Sequence, residues 1–296
     1  MIRACGCLPF ILFCLTLFAN LSYSEEKGVF LTEEIQLKVA DALGAQGEYY
    51  RAITEYKKFL ILFPDSVRAD YVLGQMGMAY HKGEEYAAAV KCFSDLIQKN
   101  PQSEYAPKAG YFEALSYWKL KKYEDSRAAF SQVAETYPQS EYAPLSLIAG
   151  SLLGLEREDT EASRKSLDKL VDRYPGDPAS KNAKEARELL AKYRDLPQKS
   201  RALAGVMSAV VPGSGYMYAE HYGDGITALI INALFIAGTV IAVSGENYAV
   251  AGIVAGVGLP FYIGNIYGSA NAANKWNIGV RRDFRDRIFL TLDFKF

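Results

Sequence analysis

Apolar positions along residues 31–195 recur with the spacing of amphipathic helices, in pairs that repeat every 37 residues. Within 70–106, Leu73, Gly77 and Tyr80 mark one face of a first predicted helix. Tyr86, Ala89, Val90, Phe93 and Leu96 mark one face of a second. Gly83 separates the two, and Asn100-Pro101 stops the second, because proline lacks the amide a helix needs. Ser103 is predicted to cap the next helix. The same shift links Pro64, Pro101, Pro138 and Pro175, then Tyr49, Tyr86 and Tyr123, then Tyr56, Phe93, Phe130 and Leu167. PQSEYAP at 101–107 returns at 138–144. Neither helix of a pair buries its stripe alone, so stacked pairs sharing one core are expected, with a charged capping helix over 177–194.

The pattern changes after Arg201. From Ala202 to Asn274 the only formal charges are Glu220, Asp224 and Glu246. Ile226–Val243 and Tyr248–Tyr267 each approach the ~20 residues that span a bilayer, and SGEN at 244–247 makes them a hairpin. Two buried helices of a soluble core are the plainer alternative. Gly252 with Gly256, and Gly264 with Gly268, are spaced for close helix contact. Ahead of the hairpin, Pro212, Gly213 and Gly215 suit a turn in or beside the membrane, and Tyr216, Tyr218 and Tyr222 suit its interface. Gly223, Asp224 and Gly225 complete that candidate turn. A phosphate-binding glycine loop would need a Lys-Ser/Thr ending that is absent.

The two ends add location. Arg3, the apolar run Leu8–Ala19 and the small residues Ser22 and Ser24 predict a signal peptide over 1–24, with an uncleaved anchor as the alternative. Removing it takes Cys5, Cys7 and Cys14, leaving Cys92 as a small buried apolar residue. Lys275, Arg281, Arg282, Arg285 and Arg287 form a basic cluster; positive-inside bias places it in the cytoplasm if 202–219 also crosses, giving three spans. A re-entrant 202–219 would leave two. Ile288 to Phe296 alternate as a strand does, on a tail read as interfacial or cytoplasmic, or as a strand akin to the ends of outer-membrane barrels.

A formal charge of −1 argues against a nucleic-acid binder, and two His with four Cys leave little material for a metal site or a nucleophile. No cofactor and no small-molecule substrate are expected. Glu220, His221 and Asp224 raise a membrane-embedded enzyme as a distant alternative, but three polar residues in one loop more often make a solvated turn.

Gly77, Tyr80, Tyr86, Ala89 and Pro101, with Ala114, Tyr117, Tyr123, Phe130 and Pro138, resemble the tetratricopeptide repeat, with Ser126 where alanine is usual. The long period and the Tyr/Phe-Pro linkers look like the periplasmic branch found in outer-membrane assembly lipoproteins and Tol-Pal coordinators. PGSGYMY at 212–218, YGDG at 222–225 and GNIYGSANAANKWN at 264–277 resemble a family of small bacterial membrane domains with a Pro-Gly-x-Gly-x-x-Tyr turn. The repeat resemblance implies a concave groove lined by Tyr71, Met78, His81, Lys82, Lys108, Tyr111, Trp118 and Leu152. Rings beside lysines suit an acidic peptide.

The expected chain is therefore all-α. A tetratricopeptide-type helical-hairpin solenoid (25–195) precedes a glycine-rich membrane domain of two or three helices (196–280) and a basic, strand-like tail (281–296). The expected role is a non-enzymatic envelope scaffold contacting lipid and binding envelope proteins or peptides through its groove. It would sit in the inner membrane with periplasmic repeats, or in the outer membrane. A part in outer-membrane protein assembly or transport is the alternative.

Overall fold

The structure, a computed structural model, describes residues 31–293. The expected leader and the last three residues of the strand-like segment lie outside these. All secondary structure among the described residues is helical. Four hairpins lead: α1 (Glu33–Ala45) with α2 (Tyr49–Leu62), α3 (Ala69–Lys82) with α4 (Tyr86–Lys99), α5 (Ala106–Lys119) with α6 (Tyr123–Thr136), and α7 (Tyr142–Glu156) with α8 (Thr160–Arg173). α9 (Pro178–Ala191) follows, N-capped by Asp177 on the amide of Ala179 at 2.8 Å.

The 37-residue period sets the turns as well as the faces. Each first helix ends in a left-handed residue at the same column: Gly47 (φ 81°), Glu84 (φ 63°), Lys121 (φ 60°) and Glu158 (φ 58°). In the second hairpin Glu84 N–H donates to the His81 carbonyl and Glu85 N–H to that of Tyr80, the paired closure that satisfies a helix's last carbonyls. Tyr137 Oη donates to the Pro101 carbonyl (3.1 Å) and Tyr174 Oη to that of Pro138 (2.9 Å), tying each linker to the preceding one. Ser103 does not cap α5. Its hydroxyl accepts from Tyr105 N–H at 3.4 Å inside the turn, and Tyr105 holds the cap position.

The solenoid is of the tetratricopeptide type, and its core falls into three clusters along the array. Phe59, Val72, Phe93 and Leu96 are buried in its front half, then Ala114, Phe130 and Leu153, then Leu152, Leu155, Leu167 and Leu170. Ser126, the departure from alanine, is buried and satisfied, donating to the Ala114 carbonyl at 2.8 Å. Cys92 is buried, and that burial pushes its thiol up to about 11.

The second half departs from expectation in three ways. First, 202–219 is not a single crossing. It splits into α10 (Arg201–Val210) and the five-residue α11 (Ser214–Tyr218), and ten residues reach only ~15 Å, half a hydrocarbon core. Second, α12 (Tyr222–Ser244) and α13 (Tyr248–Leu292) are, among the described residues, the two helices long and apolar enough to cross a membrane. α13 does not stop at the end of its apolar stretch, however; it runs unbroken for 45 residues through Pro260. Third, 288–292 are helical, not a strand, and the basic cluster lies on that helix rather than on a free tail.

Phe284, Ile288 and Leu292 are spaced i, i+4 and i+8, one face of a helix, and all three are buried against Ile148, Leu152, Leu155 and Leu190 of the repeats. Both ends of the α12–α13 hairpin therefore return to the repeat side, which the three-span arrangement cannot accommodate. Of the four glycines spaced for helix contact, Gly252, Gly256 and Gly264 have nothing within 4 Å of a would-be Cβ. Close approach falls instead on Gly258, under the Phe235 ring, and on Gly268, under the Tyr216 hydroxyl.

Candidate functional site

The concave face is built by the first helices of the hairpins, and it is open in front and filled behind. In front, Asp41 on α1 accepts from Tyr56 Oη at 2.6 Å and Tyr71 Oη at 2.9 Å. Burial and then the Asp41 carboxylate push Tyr71 up to about 12, and Tyr56 shifts the same way for the same reasons. Tyr71, Gln75, Met78 and Lys82 of α3 line a polar recess of about 230 Å³ beside this carboxylate.

His81 faces inward. Its Nδ1 lies 2.8 Å from Ser116 Oγ on α5, and its ring stands edge-on to Tyr86 and Phe112. Burial, then the charges of Lys119 and Lys82, lower its pKa. It joins two repeats rather than presenting an imidazole to a ligand.

Further along, Lys108 and Met78 border a cleft of about 590 Å³ floored by Tyr111, Phe112, Leu115, Tyr142 and Ile148, and closed at its far end by Leu292 and Asp293 of α13. Tyr111 is a core residue, its ring against Phe112, Phe130 and Tyr142. Leu152 is wholly buried beneath α13. Trp118 sits at the rim, its Nε1 donating to Glu156 Oε2 at 2.6 Å, beside Arg285, Asp286 and Phe289 of α13. Of the eight expected groove residues, Tyr71, Met78, Lys82 and Lys108 share the open front. Tyr111, Leu152 and His81 are packing residues, and Trp118 borders the chain's own helix. The signal that could have shown this is the helical stripe Phe284-Ile288-Leu292, which occupies the same residues as the alternation read as a strand.

The glycine turn forms a second constellation. Ser200 caps α10 through the amide of Leu203 at 3.2 Å, and the chain breaks after Val210 at Pro212. Gly213 has φ 88°, where a Cβ would strike the Gly225 carbonyl; a Cβ on Gly215 would overlap the Ala204 carbonyl oxygen. Buried Asn265 on α13 repairs the break: its Oδ1 accepts from Gly213 N–H (2.9 Å) and its Nδ2 donates to the Ser208 carbonyl (2.9 Å). Ser208 Oγ takes the Gly215 amide at 3.0 Å, and Ser269 Oγ donates to the Ala204 carbonyl at 3.1 Å. A buried backbone group left unpaired is costly, so these three side chains are what permit the broken helix here.

Above them, Tyr218 Oη accepts from Ser200 N–H at 3.0 Å. Lys199 Nζ donates to the Tyr218 carbonyl and to Glu220 Oε1, both at 2.7 Å, and lies 4.4 Å over the Trp276 ring. Glu220 is thus engaged with Lys199, while His221 Nδ1 is 3.3 Å from Asp224 Oδ2. Gly223 has open space around it, and Gly225 packs on Gly213 and Met217. The sequence motif marks the glycines but not Ser208, Asn265 and Ser269, which hold the turn.

The family model described as YfiO, outer membrane lipoprotein, matches residues 32–145. A tetratricopeptide repeat protein from Parabacteroides merdae is similar in structure with a TM-score of 0.46 at 13% identity, covering 88% of this chain and 99% of that one. A protein described as a putative protein binding protein from Bacteroides ovatus has a TM-score of 0.35 at 14% identity, covering 55% of this chain and 98% of that one. No curated relative matches the chain.

Proposed function

We propose that this chain is a membrane-held envelope scaffold, its repeats carried on a two-helix hairpin and its front concave face offered to a protein partner. The observation that carries the reading is the asymmetry of that face. The rear is closed by α13, whereas Tyr71, Gln75, Met78, Lys82 and Lys108 border unfilled recesses of about 230 and 590 Å³. Aromatic floor and lysine rim suit an acidic peptide segment with apolar anchors. The match over 32–145 supports an envelope role of the kind its outer-membrane lipoprotein family suggests. Here the hairpin would do the attaching that a lipid does in a lipoprotein.

Photo-crosslinking residues placed at Met78 and Lys108 in cells should each capture the same discrete protein, and one on the outer face at Lys91 should not. Equal capture from all three positions, or none from the first two, would refute the groove reading.

A further inference from the structure

The segments that join the repeats to the hairpin carry charge out of proportion to the rest. Residues 192–201 and 275–287 hold nine Lys or Arg against three Asp, in a chain whose formal charge is −1. The fold brings the two segments together. Asn277 Oδ1 accepts from Lys199 N–H at 2.8 Å, and its Nδ2 donates to the Lys199 carbonyl at 2.9 Å. Below this clasp α10 runs antiparallel to α13, with Ser208 facing Asn265 and Ala204 facing Ser269. That register sets Arg201 at the height of residues 272–275, level with Lys275, Trp276 and Tyr218.

Some of these cations are engaged. Lys199 is held by Glu220, Arg281 by Glu158 and Arg194 by Glu161. Arg201 and Lys275 are exposed and take part in no ion pair among the described residues. Arg282, exposed, meets only its neighbour Asp283, at 3.8 Å, among the described residues. It lies seven residues, ~10 Å, above Lys275 on the same face of α13. Because both ends of the hairpin emerge on the repeat side, orientation bias does not account for cations there when the repeats are exported. The ring of Trp276 and the Tyr218 hydroxyl mark the level as an interfacial one.

We propose that Arg201, Lys275 and Arg282 form a cationic collar that binds the anionic headgroups of the phospholipids surrounding the hairpin, seating the repeats against that membrane. The inference rests on the membrane-hairpin reading and adds a lipid preference to it. Each cation near an anionic surface favours it by about five-fold, so three on one neck concentrate acidic lipid strongly against it.

The chain contains two tryptophans, Trp118 on the repeats and Trp276 at the collar, so Trp118→Phe leaves a single reporter. The full-length Trp118→Phe protein would be reconstituted into phosphatidylcholine vesicles containing a fifth of brominated phosphatidylglycerol or brominated phosphatidylcholine. Quenching of Trp276 by the anionic quencher should exceed that by the zwitterionic one at least two-fold. The excess should vanish in Arg201→Gln/Lys275→Gln/Arg282→Gln and shrink in 0.5 M salt. Equal quenching by the two lipids would overturn the collar while leaving the hairpin in the bilayer. No quenching by either would overturn both. A preference that survives the triple substitution would assign the lipid selection to other residues and refute these three.

Discussion

Ile288 and Leu290 stand on the same side of a strand and on opposite sides of a helix, so truncating each separates the two accounts of the chain's end. Ile288 is 0% exposed, packed among Leu152, Leu155 and Leu190, whereas Leu290 is 80% exposed. Ile288→Ala removes three carbons. At ~0.8 kcal/mol per buried methylene that is about 2.4 kcal/mol of transfer free energy. The residual cavity adds to it, within the ~2–5 kcal/mol seen for such truncations. Taking about 3 kcal/mol, and ~2–4 °C per kcal/mol for a body of this size, the repeats should melt about 6–12 °C lower. Leu290→Ala should stay within ~0.5 kcal/mol. The assay is the far-ultraviolet melt of the full chain in detergent, with Phe284→Ala as a second probe of the same face. Equal losses at 288 and 290, or a larger one at 290, would refute the docking of α13 into the repeats.

Ending the chain at Arg194 should yield a repeat fragment that self-associates and melts early, since Ile148, Leu152, Leu155 and Leu190 lose their cover; a peptide of residues 278–293 added in trans should raise its melting temperature. Single cysteines at exposed Lys181 and Arg282, in a Cys92→Ser background, should react with an impermeant thiol reagent from the same side of the membrane, and one at Glu246 only from the other. Gly215→Ala should lower the yield of folded protein sharply, because its Cβ would overlap the Ala204 carbonyl; accumulation at the parent level would mean that the turn is not as described. His81 has a pKa lowered by burial, so the unfolded chain holds that proton more tightly. Stability should therefore fall as pH drops through about 6.5 toward the folded value. Glu113, raised by burial, shifts the opposite way at lower pH and is common to both proteins, so a smaller loss between pH 7.5 and 5.5 in His81→Asn isolates the histidine.

Where several independent cues coincide, the sequence was legible. Pro101 falls two residues past the end of α4, Gly83 directly after α3, and the column Tyr56, Phe93, Phe130 and Leu167 becomes core. Legibility failed where one residue set satisfies two periods. Ile288, Leu290 and Leu292 alternate, but Phe284, Ile288 and Leu292 also repeat at four, and only the presence of an unfilled apolar face on α7 and α9 decides between them. The groove failed for the same reason. Register places Tyr111 and Leu152 on the first helices, yet it cannot tell that the chain's own α13 and the core already occupy their faces. In the glycine turn, Pro212 and Gly213 announce a broken backbone, but nothing local says that Asn265, 52 residues away, will repair it.

The return of α13 to the repeats also dictates an order of assembly. Core positions between Ile148 and Leu190 are completed by Phe284, Ile288 and Leu292, which follow the whole α12–α13 hairpin turn in sequence. If the hairpin crosses a membrane as proposed, the front hairpins can close as soon as they emerge, but the rear of the array must wait until α13 has come back out. Until then Leu152 and Leu155 stand uncovered, a surface that proteases and chaperones can read as unfinished. Completion of the repeat core thereby reports that α13 is in place.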